Sequence, residues 1–152
     1  MQVKYSVEDT IDKGKGLISK QFIKKGTLIY KVTNNNYYVF SSSKQAIETV
    51  GEVVYTRVLE TAVGYLNQSI LYVHDDGQYF NHSDNPNCGF TNNADYQSIE
   101  STKDVNLYAL RDIKIDEELT ESYSKYLYPT WHIEELERFD LLPMYCKLPY
   151  QI

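Results

Sequence analysis

Cysteine is scarce in this chain: Cys88 and Cys146 are the only two among 152 residues. Two cysteines are too few for the disulfide framework that holds many small secreted domains together. They cannot supply a four-thiolate zinc site either, and their spacing from His74, His82 and His132 gives no convincing set of ligands. We therefore expect no metal site and thiols that stay reduced.

Long apolar runs are also lacking. The opening residues, MQVKYSVEDTIDKGKG, have no apolar core of the kind that marks a signal peptide. No apolar run approaches the ~20 residues that a membrane-spanning helix needs. We therefore expect an intracellular protein without membrane contact. The sequence does not distinguish the nucleus from the cytoplasm.

Positive charge is in deficit, with 15 Lys and Arg against 21 Asp and Glu and a net charge of -6. The sequence pI is about 5.0. A general nucleic-acid binder usually carries a basic face, so direct nucleic-acid binding is not expected. The charge suits a basic protein partner such as a lysine-rich tail, since opposite potentials steer encounter. Solubility alone would account for it equally well.

The length predicts one domain over residues 1–152. Short β-branched and aromatic runs separated by turns predict a mostly β fold with short helices. Strands are expected on either side of a turn at 24–26, directly before a turn at 75–77, over the alternating Leu107, Ala109, Ile113 and Ile115, and near Leu119. Three- and four-residue apolar spacing favours one or two helices over 43–66, and Thr130 is expected to cap a last helix over 131–142.

Three stretches carry residues suited to chemistry, and the first is Gly14-Lys15-Gly16, directly before a predicted strand. Glycine lets the backbone take unusual dihedral angles and lets a ligand approach the main chain closely. An ordinary tight turn explains the same residues. The third glycine and following helix of a dinucleotide-binding loop are missing, so that interpretation fails.

The second stretch is YFNHSDNPN, residues 79–87. Asn81 and His82 can each donate and accept hydrogen bonds, as recognition of a purine edge requires. The alternative is structural: the amides satisfy a loop backbone and His82 is a hydrogen-bonded core residue. Asn81 and Asn67 also begin N-x-S sequons, but no secretory signal accompanies them.

The third stretch, EELTESY at residues 117–123, ends in Tyr123 just past a predicted short strand. A single tyrosine in that position is usually a packing residue. Taken together and in this order, the three stretches resemble the signature of SET-domain lysine methyltransferases. The resemblance spans residues 11–123, and the pairing of N-H-S with E-L-T-x-x-Y at this separation is its most specific part.

The resemblance implies a SET fold of several small sheets with a threaded C-terminal segment, here residues 124–152. It implies methyl transfer from S-adenosylmethionine to a lysine amine of a basic protein, with histone tails among the candidates. Gly14, Lys15, Gly16, Asn81 and His82 would bind the donor, and Tyr123 would be catalytic. No metal is implied. Substrate, number of methyl groups and oligomeric state stay open.

The chain departs from the family pattern in three places. Asp84 stands where a cysteine often follows N-H-S, Glu121 stands where an aromatic residue often precedes the tyrosine, and Ser124 replaces a common glycine. These departures keep open an alternative function, a SET module that binds a lysine-containing peptide or partner without methylating it.

A second rival is a hydrolase or nuclease that uses His82 with acidic neighbours as bases or metal ligands. The sequence supplies neither its nucleophile nor its ligand set. The acidic candidates are Asp75, Asp76 and Asp84.

Overall fold

The structure, a computed structural model, describes residues 1–33, 35–64, 67–90, 106–123 and 129–141. Within these residues the chain forms short strands and three short helices, which confirms the predicted mostly β fold with short helices. The strands are β1 Tyr5–Thr10, β2 Gly14–Ser19, β3 Leu28–Tyr30, β4 Tyr37–Phe40, β5 Val63–Gly64, β6 Ile70–Val73, β7 Asn81–His82, β8 Cys88–Gly89, β9 Leu107–Ala109 and β10 Glu118–Glu121. The helices are α1 Ser43–Val50, α2 Glu52–Thr61 and α3 Thr130–Arg138, and a single 3-10 turn covers Asp76–Tyr79.

The chain divides into two compact units. The first unit comprises Met1–Asn35 and Asp75–Lys125, and the second comprises Asn36–His74 and Tyr126–Ile152. Each unit has its own sheets and its own buried apolar residues.

Two sheets build the first unit. One has the strand order β1-β2-β10-β7 and the other has the order β3-β9-β8. Strand β10 runs antiparallel to β2, with Glu118 opposite Ile18, and parallel to β7, with Thr120 opposite Asn81. Apolar residues of these strands, and of the isolated bridge between Ile23 and Ile113, lie in the interior of this unit. The fully buried ones are Leu17, Ile23, Ile29, Ile113 and Leu119.

The second unit combines the β4-β6-β5 sheet with the three helices. The three- and four-residue spacing over 43–66 does form two helices, which meet at Gly51 with a φ of 81°. Ser42 caps α1 by accepting from the Gln45 N–H. The apolar faces pack into one cluster, whose buried members are Phe40, Ala46, Tyr55, Val58, Leu59, Ala62, Ile70 and Leu136.

The last helix begins one residue earlier than the sequence predicts. Pro129 is the N-cap and Thr130 lies inside the first turn, so the prediction that Thr130 caps the helix is wrong. Proline fixes φ near −65° and has no N–H to satisfy, which suits it to the start of a helix. The helix ends at Arg138. Residues 91–105 and most of the C-terminal segment that was expected to be threaded, at 124–128 and 142–152, lie outside the described residues.

Candidate active site

Strand adjacency in the first unit brings the three sequence motifs together. Strand β2 contains Gly14, Lys15 and Gly16, β7 consists of Asn81 and His82, and β10 lies hydrogen-bonded between these two strands. Tyr123 lies two residues past the end of β10. All six predicted site residues therefore lie on, or directly after, three neighbouring strands.

The two glycines of the first motif are needed for different reasons. Gly14 has a φ of 69° as the chain leaves the β1–β2 turn, a conformation that costs other residues about 1 kcal/mol or more. Gly16 lies in the strand with ordinary dihedral angles, but a Cβ there would come within 2.9 Å of Asn81 Nδ2 and 2.7 Å of Glu118 Oε1. Gly16 thus leaves space in front of the Asn81 amide.

Asn81 holds its side-chain amide against both neighbouring strands. Its Nδ2 donates to the carbonyl of Lys15 at 3.1 Å and to Glu118 Oε1 at 2.8 Å. The other carboxylate oxygen of Glu118 lies 3.9 Å from Lys13 Nζ. The amide group is fixed in orientation before any ligand arrives, because two acceptors on different strands hold its two N–H groups.

His82 contacts Tyr123 directly. The backbone N–H of Tyr123 donates to His82 Nδ1 at 3.0 Å, and the two rings lie 5.4 Å apart between centroids. On the other side of the imidazole, Nε2 lies 3.1 Å from Asp84 Oδ1. The Tyr123 hydroxyl donates to the carbonyl of Phe80, the residue directly before Asn81. His82, one of the predicted donor-binding residues, is therefore in direct contact with the predicted catalytic residue Tyr123.

Asn87 is an anchor of the site that sequence analysis did not single out. It is 1% exposed, and its Nδ2 donates to the Glu118 carbonyl at 2.7 Å and to Glu117 Oε1 at 3.0 Å. Its Oδ1 accepts from the Thr120 N–H at 2.9 Å. One side chain thus fixes the backbone of β10 from a loop thirty residues earlier. The sequence signal was present, since Asn87 closes the YFNHSDNPN stretch.

Charge at the start of β10 is paired. Burial alone would raise the pKa of Glu117, but hydrogen bonds from Arg111, the Lys114 N–H and Asn87 outweigh it and hold this pKa at about 2. The ion pair to Arg111 measures 2.6 Å.

Glu121, at the end of β10, is buried. Burial, together with the Glu121 carboxylate, raises the pKa of the Cys88 thiol, which therefore stays protonated.

Two of the three acidic candidates of the rival hydrolase interpretation, Asp75 and Asp76, accept hydrogen bonds from tyrosines, and the third, Asp84, contacts His82. Tyr30 donates its hydroxyl to Asp75 at 2.9 Å, and Tyr5 donates to Asp76 at 2.7 Å. The hydrogen bond to Asp76, with burial second, raises the pKa of Tyr5 to about 12. Among the described residues no group of three or more His, Cys, Asp or Glu side chains is placed to hold a metal ion.

The SET-domain family model matches residues 14–124 of the sequence, which is most of the chain and includes all three motifs. The chain belongs to the SET-domain family. SET-domain methyltransferases generally use S-adenosylmethionine. None of the curated proteins matches the sequence.

Solved structures show the same fold. One is a candidate histone methyltransferase of Plasmodium falciparum, at 22% identity and a TM-score of 0.52, which covers 81% of this chain and 95% of that one. Another is the methyltransferase domain of the human histone-lysine N-methyltransferase SETMAR, at 23% identity and a TM-score of 0.51. That comparison covers 82% of this SET-domain chain and 46% of the SETMAR chain.

In the described part of this chain, no helix has the length and apolarity to cross a membrane.

Proposed function

We propose that this SET-domain chain transfers a methyl group from S-adenosylmethionine to the side-chain amine of a lysine in a basic protein. The observation that carries the proposal is the contact between the Asn81-His82 strand and Tyr123, with Gly16 facing the Asn81 amide. The two solved structures described as histone methyltransferases favour a histone tail as the basic protein. The proposal treats residues 1–152 as a single SET domain.

The residues present fit the donor. Gly16 leaves open the space that a Cβ would fill beside Asn81 Nδ2 and Glu118 Oε1. Gly14, Lys15 and Gly16 would hold the donor by their backbone and Asn81 by its amide. Both ring nitrogens of His82 already have partners in the protein, so this residue would contribute its backbone. Bound there, S-adenosylmethionine supplies an electrophilic methyl group on a cationic sulfur.

The chain's own contribution is binding, orientation and removal of water. The lysine amine attacks only without its proton, and an ordinary lysine has a pKa near 10.4. An apolar aromatic environment disfavours the ammonium form by desolvation. The new N–C bond then forms as the methyl–sulfur bond breaks, which leaves S-adenosylhomocysteine. Tyr123 would orient the amine in line with that bond, and alignment with fixed dipoles supplies most of the rate.

Net charge supports the choice of substrate class. The chain has an excess of six negative charges. A lysine-rich segment would therefore approach along a favourable potential. We expect transfer to weaken as ionic strength rises, since salt screens the attraction between exposed charges.

The experiment is transfer of labelled methyl groups from S-adenosylmethionine to histones and to lysine-bearing histone-tail peptides. We expect Tyr123→Phe to lower turnover by about 100-fold or more while donor binding is kept, by analogy with losses of positioned acid–base groups. The matched control is Tyr38→Phe, the same change at an exposed tyrosine of the second unit. Equal turnover in Tyr123→Phe and the parent chain would overturn the role of Tyr123. Donor and peptide binding without any transfer would point to the binding-module alternative.

A further inference from the structure

The imidazole of His82 is held in one protonation form by its two neighbours. The Tyr123 backbone N–H can only donate, so His82 Nδ1, 3.0 Å away, must be the bare, accepting nitrogen. The single proton of the neutral ring is then on Nε2, where it donates to Asp84 Oδ1 at 3.1 Å. The hydrogen-bond network thus assigns the Nε2–H tautomer.

We propose that the neutral Nε2–H ring of His82 is a positioning residue for Tyr123. The inference rests on the proposed function, in which Tyr123 orients the reacting amine. It assigns to the His82 side chain a task different from donor recognition. The ring acts through the Tyr123 backbone and touches neither donor nor substrate in this role.

Tyr123 is held to the Asn81-His82 strand at both ends. Its hydroxyl donates to the Phe80 carbonyl and its backbone N–H donates to the His82 ring. The strand pairing that precedes it continues through the Ser83 N–H, which donates to the Glu121 carbonyl at 2.9 Å. Two anchors on one short strand define the direction of the phenol ring. Loss of the His82 ring removes the hydrogen bond to the Tyr123 backbone N–H, one of these two anchors.

Asp84 selects the tautomer. It stands where many members of the family have a cysteine, and its side chain is fully exposed. An exposed carboxylate adds little to stability. As an acceptor beside Nε2 it favours the form with a proton there, which leaves Nδ1 free to accept from Tyr123. Asp84→Asn should therefore act on the tautomer ratio far more than on folding.

The link depends on pH. A protonated imidazole donates from both nitrogens, so it cannot accept from the Tyr123 N–H. The link is therefore lost whenever the ring takes up a second proton. Among the charged or titratable groups around the ring, Lys15 lies on β2, and Glu118 and Glu121 lie on β10. The others lie just outside the strands: Asp84 after β7, Lys13 before β2 and Tyr123 itself after β10.

The first test uses the unsubstituted protein. Long-range ¹H–¹⁵N correlation of the histidine rings at pH 8 is expected to show the Nε2–H tautomer for His82. The Tyr123 amide resonance is expected to move with the His82 ring signals as pH is lowered. An Nδ1–H tautomer, or a Tyr123 amide that does not follow the ring, would overturn the proposal.

The second test separates positioning from packing by two variants. His82→Asn keeps an accepting oxygen close to the place of Nδ1 but does not titrate, whereas His82→Phe keeps a ring without an acceptor. We expect His82→Phe to lower kcat by about 10- to 100-fold with a smaller change in KM, as misplacement of a reacting group does. His82→Asn should recover most of this loss and should abolish the pH response of the Tyr123 amide. Equal kcat in His82→Phe and the parent would contradict the inference.

The resonance test fails separately from the proposed function, whereas the kcat comparison requires methyl transfer. The resonance measurements need neither methyl donor nor substrate, so they judge the His82–Tyr123 link alone. Absence of methyl transfer in the parent would overturn the proposed function and leave that link standing. If the parent transfers methyl groups but the Tyr123 amide does not respond to the His82 ring, the proposed function stands and the His82–Tyr123 link is overturned.

Discussion

The two units of this SET-domain chain are stabilised by different means. In the first unit, side-chain amides fix backbone groups of neighbouring strands: Asn81 contacts Lys15, and the buried Asn87 contacts β10. In the second unit, the buried cluster is almost wholly apolar and comes from the faces of short helices and a small sheet. Directional hydrogen bonds define positions closely, whereas apolar packing supplies stability without directing any one group. The candidate site lies in the unit with the directional contacts.

The largest expected effect is loss of packing in the second unit. Leu136 is 1% exposed in the apolar cluster. Leu136→Ala should lower the free energy of unfolding by between about 2 and 5 kcal/mol, since it removes buried methyl groups and leaves a cavity. Denaturant unfolding followed by the fluorescence of Trp131, the only tryptophan, would measure it in this unit.

The matched control is Val53→Ala on helix α2, because Val53 is 84% exposed. It should change the free energy of unfolding by no more than about 0.5 kcal/mol. If Leu136→Ala behaves like this control, the second unit is not held together by its apolar cluster.

The next effect is acid sensitivity of the same unit. Burial lowers the pKa of His132 to about 4, against an ordinary value of 6.5, while contacts with Leu59 and Glu135 oppose the shift. Below about pH 6.5 the His132 ring takes up a proton in the unfolded chain, whereas in the folded chain it stays neutral until about pH 4. Stability should therefore fall by about 3 kcal/mol as pH drops from about 6.5 to 4.

Urea unfolding across this pH window, again followed by Trp131 fluorescence, measures the loss. His132→Asn should remove most of the pH dependence, and His74→Asn should leave it in place. A free energy of unfolding that is flat between pH 6.5 and 4 in the parent would show that His132 is not buried in its neutral form.

The third largest expected effect is the loss of the Asn87 side chain, the polar anchor of the first unit. Asn87→Ala leaves the Thr120 N–H and the Glu118 carbonyl without the side chain that now satisfies them. Each buried polar group left without a partner costs about 1 to 3 kcal/mol, partly relieved if water enters, so we expect a loss of about 2 to 3 kcal/mol. Denaturant unfolding monitored by circular dichroism provides the value.

Asn85→Ala, the same change two residues earlier at an exposed position, is the control. It should leave the unfolding midpoint close to that of the parent. An Asn87→Ala midpoint equal to the Asn85→Ala midpoint would mean that apolar burial, and not the amide network, fixes β10.

The smallest effect is the acid sensitivity of the first unit. Its paired carboxylate Glu117 has a pKa of about 2, below the ordinary 4.5, because Arg111, Lys114 and Asn87 contacts outweigh burial. The stabilisation is complete above about pH 4.5 and is lost as pH falls towards 2. Since the pair is partly exposed and screened, we expect about 1 kcal/mol, which Glu117→Gln should remove.

Acid titration of hydrogen exchange at the β10 amides would detect this loss, because it reports on the first unit alone. The two units should lose stability in different pH windows: the second unit between about pH 6.5 and 4, through His132, and the first unit below about pH 4.5, through Glu117. If the amides of both units lose their protection from hydrogen exchange together between pH 6.5 and 4, the two units do not respond in different pH windows.

Sequence patterns predicted the parts of the fold that rest on local periodicity. The spacing of apolar residues gave the two helices of the second unit, and the turn at 24–26 was expected from its glycine. The helix cap was wrong because Thr130 has the usual cap chemistry, and only the conformation of Pro129 shows where the helix starts. Local propensity does not reveal which of two adjacent cap residues the tertiary structure uses.

The sequence proposed which residues belong to the candidate site, but it did not predict how they are arranged. Family resemblance named Asn81, His82 and Tyr123, yet the parallel pairing of β7 with β10 joins residues some forty positions apart. Hydrophobic pattern does not determine such a register for strands of two to four residues. The roles of Asn87 and of the His82 ring depend on that register, and they emerge only from the structure.

The most direct test of the account is calorimetric titration of S-adenosylmethionine into the intact chain. We predict saturable binding at one site per chain, and clearly weaker binding in Asn81→Ala, which loses the amide beside Gly16. Binding that is undetectable in the parent, or equally tight in Asn81→Ala, would contradict the claim that these strands form a methyl-donor pocket.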